Sequence, residues 1–184
     1  MELTGKLLIA MPGIGDPRFE NSVVFLCSHG PAGAMGLVIN KPAAGVVLNT
    51  LFDQLNIECR RGPGRSQVYF GGPVETQRGF VLHSDEYIST VNSLPVKPGF
   101  SMTATLDVLE EIAEGCGPQQ YLVMLGYAGW GPGQLEAEIA QNGWLTAESD
   151  PEMIFDAPVD DKWEAALNSI GVAPLNLSMD AGHA

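Results

Sequence analysis

The sequence predicts an α/β protein of the α+β type, built on a mixed, largely antiparallel sheet. Three observations carry that prediction. Short apolar runs rich in β-branched and aromatic residues recur between Gly and Pro turn signals, as hairpin strands do. Amphipathic helices are interspersed but stand apart from one another. No repeat, low-complexity segment or long linker interrupts the 184 residues. That length suits a single domain, 1–184, able to bury roughly 70% of its unfolded surface without a disulfide or metal.

"KLLIA" (Lys6–Ala10) opens the series as a short strand, stopped by Pro12 and the polar loop through Asp16 and Pro17. "SVVFLCS" (Ser22–Ser28) is β-branched and aromatic, hence a buried strand. "HGPAGAMG" supplies a turn and "GLVIN" (Gly36–Asn40) returns, giving an antiparallel hairpin that Pro42 ends. In "VLNTLFDQL", Val47, Leu51 and Leu55, with Leu48 and Phe52, fall at helical spacing. "QVYFGG" and "GFVLHS" read as two further strands joined by the turn "GPVETQR". After "FSMTA", Leu106, Leu109, Ile112 and Ala113 form a helical stripe that Gly115 closes as a left-handed C-cap. "YLVMLGY" (Tyr121–Tyr127) is the most apolar strand, which suits a central position. A helix from about Gln134 to Gln141 leads into the strand candidate "GWLTA". Asp150 as N-cap and Pro151 at the first helical position begin a short helix, and "DDKWEAALNSIG" is the last one.

Charge excludes one class of partner. Nine basic against 22 acidic residues leave a net charge of −13. Duplex DNA would repel such a surface at long range, so no duplex nucleic acid is expected as a partner. The one basic cluster, Arg60, Arg61 and Arg65, reads as a solvated loop in preference to a phosphate patch. Cys27, Cys59 and Cys116 are an odd set without C-x-x-C spacing, which argues against a disulfide framework and against zinc. The run "LLIAM" is shorter than a signal peptide core, and no run approaches the ~18 apolar residues of a membrane span. The expectation is a cytoplasmic protein with no cofactor, no metal and no membrane association.

Several long motifs resemble the YqgE/AlgH family of bacterial proteins. They are "LLIAMPGIGDPRFENSVVFLCSHGPAGAMGLVINKP", "VYFGGPV" with "GFVLHS", "LGYAGWGPGQLEAEIAQNGWL", "IFD" with "KWEAALNSIG", and the terminal "GHA". The resemblance runs from about Gly5 to Ala184. It implies a compact α/β architecture with a coiled, mixed sheet flanked by helices. The regulatory label on some members brings no catalytic residues to transfer.

Three constellations qualify as candidate sites. The glycines at 126, 129, 131 and 133 outline a phosphate loop. However, Gln134 stands where the third glycine of G-x-G-x-x-G belongs, and no G-x-x-x-x-G-K-[ST] occurs. Pro132 removes a donor while Glu136 and Glu138 place negative charge in the first turns. The loop therefore reads as a strand-to-helix corner in which Gly129 or Gly131 holds an unusual backbone angle and Trp130 covers the turn. Cys27 and His29, two apart on a strand, share a face, so a thiol–imidazole pair is sterically possible, and adding His83 would make a Cys/His metal site, a weaker reading for want of tight ligand spacing. The blander alternative is a buried small thiol beside a turn histidine, and that is favoured because no orienting group is visible.

The third set is the polar residues among apolar ones: Asp16, Arg18, Asn40, Gln134 and Glu138, with Gly71 and Gly72. Asp16 before Pro17 suits a turn cap, and Gln134 with Glu138 suits a solvated helix face. They become a binding site if the loops "MPGIGDPRF", "FGGPV" and "GWGPG" converge on one rim. The leading functional expectation is a non-enzymatic binding or regulatory protein, engaging a protein or small-molecule partner through a Gly-rich rim containing Trp130. One alternative is a hydrolase or thiol-dependent enzyme using Cys27, His29 or His83. A transcriptional regulator is the other, disfavoured by charge.

Overall fold

Runs of consecutive buried residues, Leu7–Ala10 and Val23–Cys27, make both faces of the first strands apolar. The computed structural model describes residues 2–59, 66–174 and 177. Its strands, in chain order, are β1 (Leu7–Ala10), β2 (Val23–Gly30), β3 (Gly33–Val38), β4 (Pro42–Val47), β5 (Gln67–Phe70), β6 (Val74–His83), β7 (Leu94–Lys97), β8 (Phe100–Thr103), β9 (Tyr121–Trp130) and β10 (Trp144–Ala147). Four helices intervene: α1 (Leu48–Gln54), α2 (Leu106–Glu114), α3 (Gln134–Ala140) and α4 (Lys162–Ser169). The sheet runs β10-β1-β2-β3-β9-β6-β8-β7, and β5 joins β4 to β9. Among the described residues only the β5–β9 pairing is parallel, so the sheet is mixed and largely antiparallel, as expected. The apolar run "YLVMLGY" lies in β9, which pairs with β3, β5 and β6.

The sheet coils. β2 and β8 are separated by β3, β9 and β6 in sheet order. Four steps of about 4.8 Å would hold them roughly 19 Å apart if the sheet were flat. Yet the rings of Phe25 on β2 and Phe100 on β8 lie 5.1 Å apart, centroid to centroid. The interior so enclosed takes Leu7, Ile9, Val23, Phe25, Leu82 and Met124. Ala166 and Leu167 of α4 close it. The opposite faces form two separate layers: Leu8, Val24, Leu26 and Trp130 under Leu135 of α3, and Val68, Val81 and Val123 under α1 and α2.

Gly115 caps α2 at φ 80°, with the Cys116 amide bonded to the Glu111 carbonyl, the left-handed ending that the sequence predicts. Other local details differ from expectation. Pro42, beyond the end of the β2–β3 hairpin, opens a further strand, β4, a position that proline tolerates. Most of the supposed turn "GPVETQR" belongs to β6, whose register with β9 breaks between Val74 and Gly79. β7, read from sequence as no element, pairs with β8 at the sheet's edge. Asp150 does not start an α-helix; a π-helical turn spans Glu152–Asp156 with Pro151 at its N-cap. Among the described residues, no helix is long and apolar enough to cross a membrane.

Candidate functional site

The corner after β9 is built around one carboxylate. The chain leaves β9 at Trp130, turns through Gly131, Pro132 and Gly133, and starts α3 at Gln134. Leu135 anchors the helix in the apolar layer beneath it. One turn later, Glu138 Oε2 accepts the indole N–H of Trp130 at 2.9 Å and that of Trp144 at 2.8 Å. Its Oε1 accepts an amide N–H of Gln134 at 2.9 Å, and Gln134 Oε1 accepts the Gly131 N–H at 2.9 Å. The two indoles meet edge to face at 5.9 Å, and Phe19 packs edge-on against Trp144 at 5.6 Å. A single side chain thus ties α3 to β9 and β10.

This corner forms one wall of a cleft of about 910 Å³, within the size range of small-molecule sites. The opposing wall is the loop from Met11 through Phe19, and Pro73 and Val74 close one end. Three loops named from the sequence therefore do converge. Asp16, Arg18, Trp130, Gln134 and Glu138 line the same cleft. Asp16 caps the 3-10 turn Pro17–Phe19 by accepting the Arg18 N–H, and it also takes the Arg18 guanidinium, at 2.7 Å. That hydrogen bond holds the Asp16 carboxyl below its ordinary range and raises Arg18. Gln134 and Glu138 do share a helix face, and it turns to the cleft. The sequence reading missed Phe19, Gln141, Asn142 and Trp144, which line it too. Trp144 offered a signal, since "NGWL" puts a second indole just past the helix that follows Trp130.

The other candidates lie elsewhere. Asn40 is buried behind the hairpin, where it accepts from the Val23 amide and donates to the Asn21 carbonyl, both at 2.8 Å. Gly71 and Gly72 are absent from the cleft wall. A Cβ on Gly72 would lie 2.1 Å from the Tyr127 carbonyl carbon, so that glycine permits backbone to cross backbone. The unusual backbone angle is not at Gly129 or Gly131 but at Gly126 and Gly133, each at φ 73°. Sequence spacing pointed to the right loop and the wrong glycines, because backbone angle depends on how the bulged strand meets its neighbours. Arg60, Arg61 and Arg65 lie outside the described residues.

Cys27 and His29 do not pair. A register shift between Leu26 and Ser28 inserts Cys27 as an extra residue in β2. Alternation then reverses: Cys27 points into the coiled interior, while His29 sits opposite Ala34 on the other face and meets Glu136 of α3 at 3.0 Å. Burial pushes the Cys27 thiol up to about 12, which denies it thiolate chemistry. His83 is fully buried. Its Nδ1 donates to the Ser84 carbonyl at 2.9 Å, which leaves Nε2 to accept the Thr103 hydroxyl at 2.8 Å. Burial lowers its pKa, so it serves there as a neutral, satisfied ring. Among the described residues, no three His, Cys, Asp or Glu side chains are grouped to hold a metal. The cleft, among the described residues, is lined by no Ser, Thr, Cys, Lys or His; it presents carboxylate, guanidinium, amide and aromatic groups.

Comparison with known proteins places these features in a family. The AlgH-like family model matches residues 7–175. A UPF0301 protein of Ruegeria pomeroyi is 60% identical, with both chains covered in full. One from Jannaschia is 55% identical over all of this chain and 96% of its own. The solution structure of the AlgH protein from Pseudomonas aeruginosa, 42% identical, superposes with a TM-score of 0.81 over 100% of this chain and 97% of that one. A crystal structure from Corynebacterium diphtheriae shares the fold at 22% identity, with a TM-score of 0.72 over 90% of this chain and 85% of its own. The family model over most of the chain, the relatives matched along its whole length and the shared fold lead to one conclusion: this protein is a member of the AlgH-like family.

Proposed function

We propose that this chain is a non-enzymatic binding protein with a regulatory role, and that the cleft holds a small molecule or a short segment of a partner. One observation carries the reading. Asp16, Arg18, Trp130, Gln134 and Glu138 come from separate segments yet meet on one cleft that, among the described residues, is lined by no Ser, Thr, Cys, Lys or His. Recognition needs such convergent polar groups beside aromatic surface, and the two carboxylates there are already engaged, Asp16 with Arg18 and Glu138 with two indoles and Gln134. The thiol-dependent alternative finds no support in a sealed Cys27, nor in His29 and His83, whose partners are Glu136 for one and Thr103 and the Ser84 carbonyl for the other. Free cysteines at 27, 59 and 116 suit a reducing compartment, which supports the cytoplasm as the site of action. The charge of −13 argues that the partner is not duplex DNA.

A thermal-shift screen of metabolites and nucleotides tests the proposal. A ligand present at 100 times its Kd adds about 2.7 kcal/mol to stability. The expected hit raises the melting midpoint of the native protein and fails to do so after Gln141→Trp, which fills the cleft from an exposed position. A hit insensitive to that substitution would locate the site elsewhere and sink the reading.

A further inference from the structure

We infer that the cleft selects a cationic ligand, a primary ammonium or guanidinium group seated against Glu138. This rests on the cleft being a binding site, as proposed above, and goes further by naming the chemistry. A carboxylate offers about four acceptor positions. Glu138 uses two on Oε2 for the indoles and one on Oε1 for Gln134. One position on Oε1 is left. All three resident donors are neutral, so they orient the carboxylate without cancelling its charge. Among the described residues, no ion pair involves Glu138.

The remaining charges of the cleft offset each other. Arg18 and Asp16 are engaged with one another through several hydrogen bonds and contribute no net charge. The cleft thus carries the single uncompensated charge of Glu138, within a protein of net charge −13. An arriving anion meets that field, and the loop amide of Gly131 that could have received it is already bonded to Gln134. A cation is drawn by the same field and gains a charge-assisted hydrogen bond, roughly twice as strong as a neutral one. The buried indoles of Trp130 and Trp144 make the wall behind Glu138 low in dielectric, and the half-buried Phe19 ring offers surface for the ligand's hydrocarbon portion. The orientation of Glu138 by two indoles fixes the acceptor before the ligand arrives, which lowers the cost of binding.

The experiment titrates the native protein with agmatine and spermidine as cationic probes and with inorganic phosphate and AMP as anionic ones. The indole N–H resonances of Trp130 and Trp144 report the site directly, and Trp163, whose N–H is bonded to the Ala10 carbonyl, is the internal control. Saturable shifts of both cleft indoles with a cation, weakening as salt is added, are expected. Affinity should fall about tenfold or more in Glu138→Gln, the loss of one charge-assisted bond. Should that variant fail to fold, Gln141→Lys places a resident ammonium in the cleft from an exposed helix end and should weaken the cations similarly. Cation binding indifferent to both variants overturns the cationic assignment, and so do anions that shift the cleft indoles where cations do not, though these leave the cleft a binding site. Indoles silent to all four probes overturn the assignment as well. If the metabolite screen also yields no cleft-dependent hit, the binding reading fails with it.

Discussion

Two charged side chains are set among apolar layers of this protein, and they are held in opposite ways. Lys162, the first residue of α4, is buried in the interior at 1% exposure. Its ammonium donates to the Ile154 carbonyl at 2.6 Å and the Ile39 carbonyl at 3.3 Å, and lies 5.5 Å from the centre of the Tyr69 ring. Burial lowers it to about 8. Glu138 is also held by neutral partners, but it stands at the wall of an open cleft with an acceptor position in reserve. The lysine's neighbours enclose it and leave no route for a ligand. The glutamate's neighbours aim it. The difference teaches that a charge near a core marks a binding site only where its environment leaves both space and unused hydrogen-bonding capacity.

The largest test of the glutamate corner is the backbone beneath it. At Gly126, φ is 73° and a Cβ would lie 2.3 Å from the Gly72 carbonyl oxygen. Gly126→Ala should cost more than about 3 kcal/mol, or prevent folding, since neither backbone segment can yield easily. Gly131→Ala, whose new Cβ would meet only Gln134 Oε1 at 3.8 Å, should stay within about 1 kcal/mol of the parent. Urea midpoints compare them. Equal losses at both positions would mean that the corner, and not the strand crossing, bears the strain.

Next in size is the direct comparison of the two charges. Glu138→Ala strands two indole N–H groups, at about 1–3 kcal/mol for each donor left unsatisfied, less whatever water entering the cleft restores. Lys162→Met removes a desolvated charge as well as its hydrogen bonds, so gain and loss partly cancel, and its midpoint should move less. A lysine variant more damaging than the glutamate variant would reverse the view of which charge organises its surroundings.

A smaller effect appears in the pH dependence of stability. In the native state Lys162 releases its proton near 8, whereas the unfolded chain holds it to about 10.5. Between those values the unfolded state binds more protons, so this residue's contribution to stability rises with pH. The Cys27 thiol opposes it above about 9, because burial raises its native value to about 12. The lysine's share is therefore read as wild type minus Lys162→Met between pH 8 and 10.5, and a negative slope of that difference would refute the assignment. His83, lowered by burial, has the same sign at lower pH. The contribution of its neutral ring is lost as pH falls below about 6.5, where the unfolded ring takes a proton first.

The smallest test perturbs nothing. Iodoacetamide at neutral pH should modify Cys59 and Cys116, which are exposed, and leave Cys27 intact until the protein unfolds. Prompt native-state labelling of Cys27 would place it outside the coiled interior.

How much of this was legible in the residues depends on range. Side chains two apart in β1, β6 and β9 and three or four apart in α1 and α2 interact locally, so the apolar pattern itself specifies strand, helix and buried face. The Gly115 cap was equally local. The bulge at Cys27 left no mark, because the extra residue is neither Gly nor Pro and is defined only by its partner strand. So Cys27 and His29 looked like neighbours on one face and are not. The candidate site was half visible: Asp16, Arg18, Trp130, Gln134 and Glu138 could be named, but not that they meet.

By itself, the sequence determined which segments become strands and helices, which faces are apolar, and a charge that repels polyanions. Each follows from short-range sterics, hydrophobic periodicity or simple summation. Only the tertiary structure decided that the sheet coils until Phe25 touches Phe100, and that Trp130 and Trp144 share one oxygen of Glu138. These are contacts between segments distant in sequence or set by a turn, and no local preference encodes them. They form because coiling buries two sheet halves against one interior, and that closure brings the 11–19 loop across from the corner after β9. The cleft is what remains open between them.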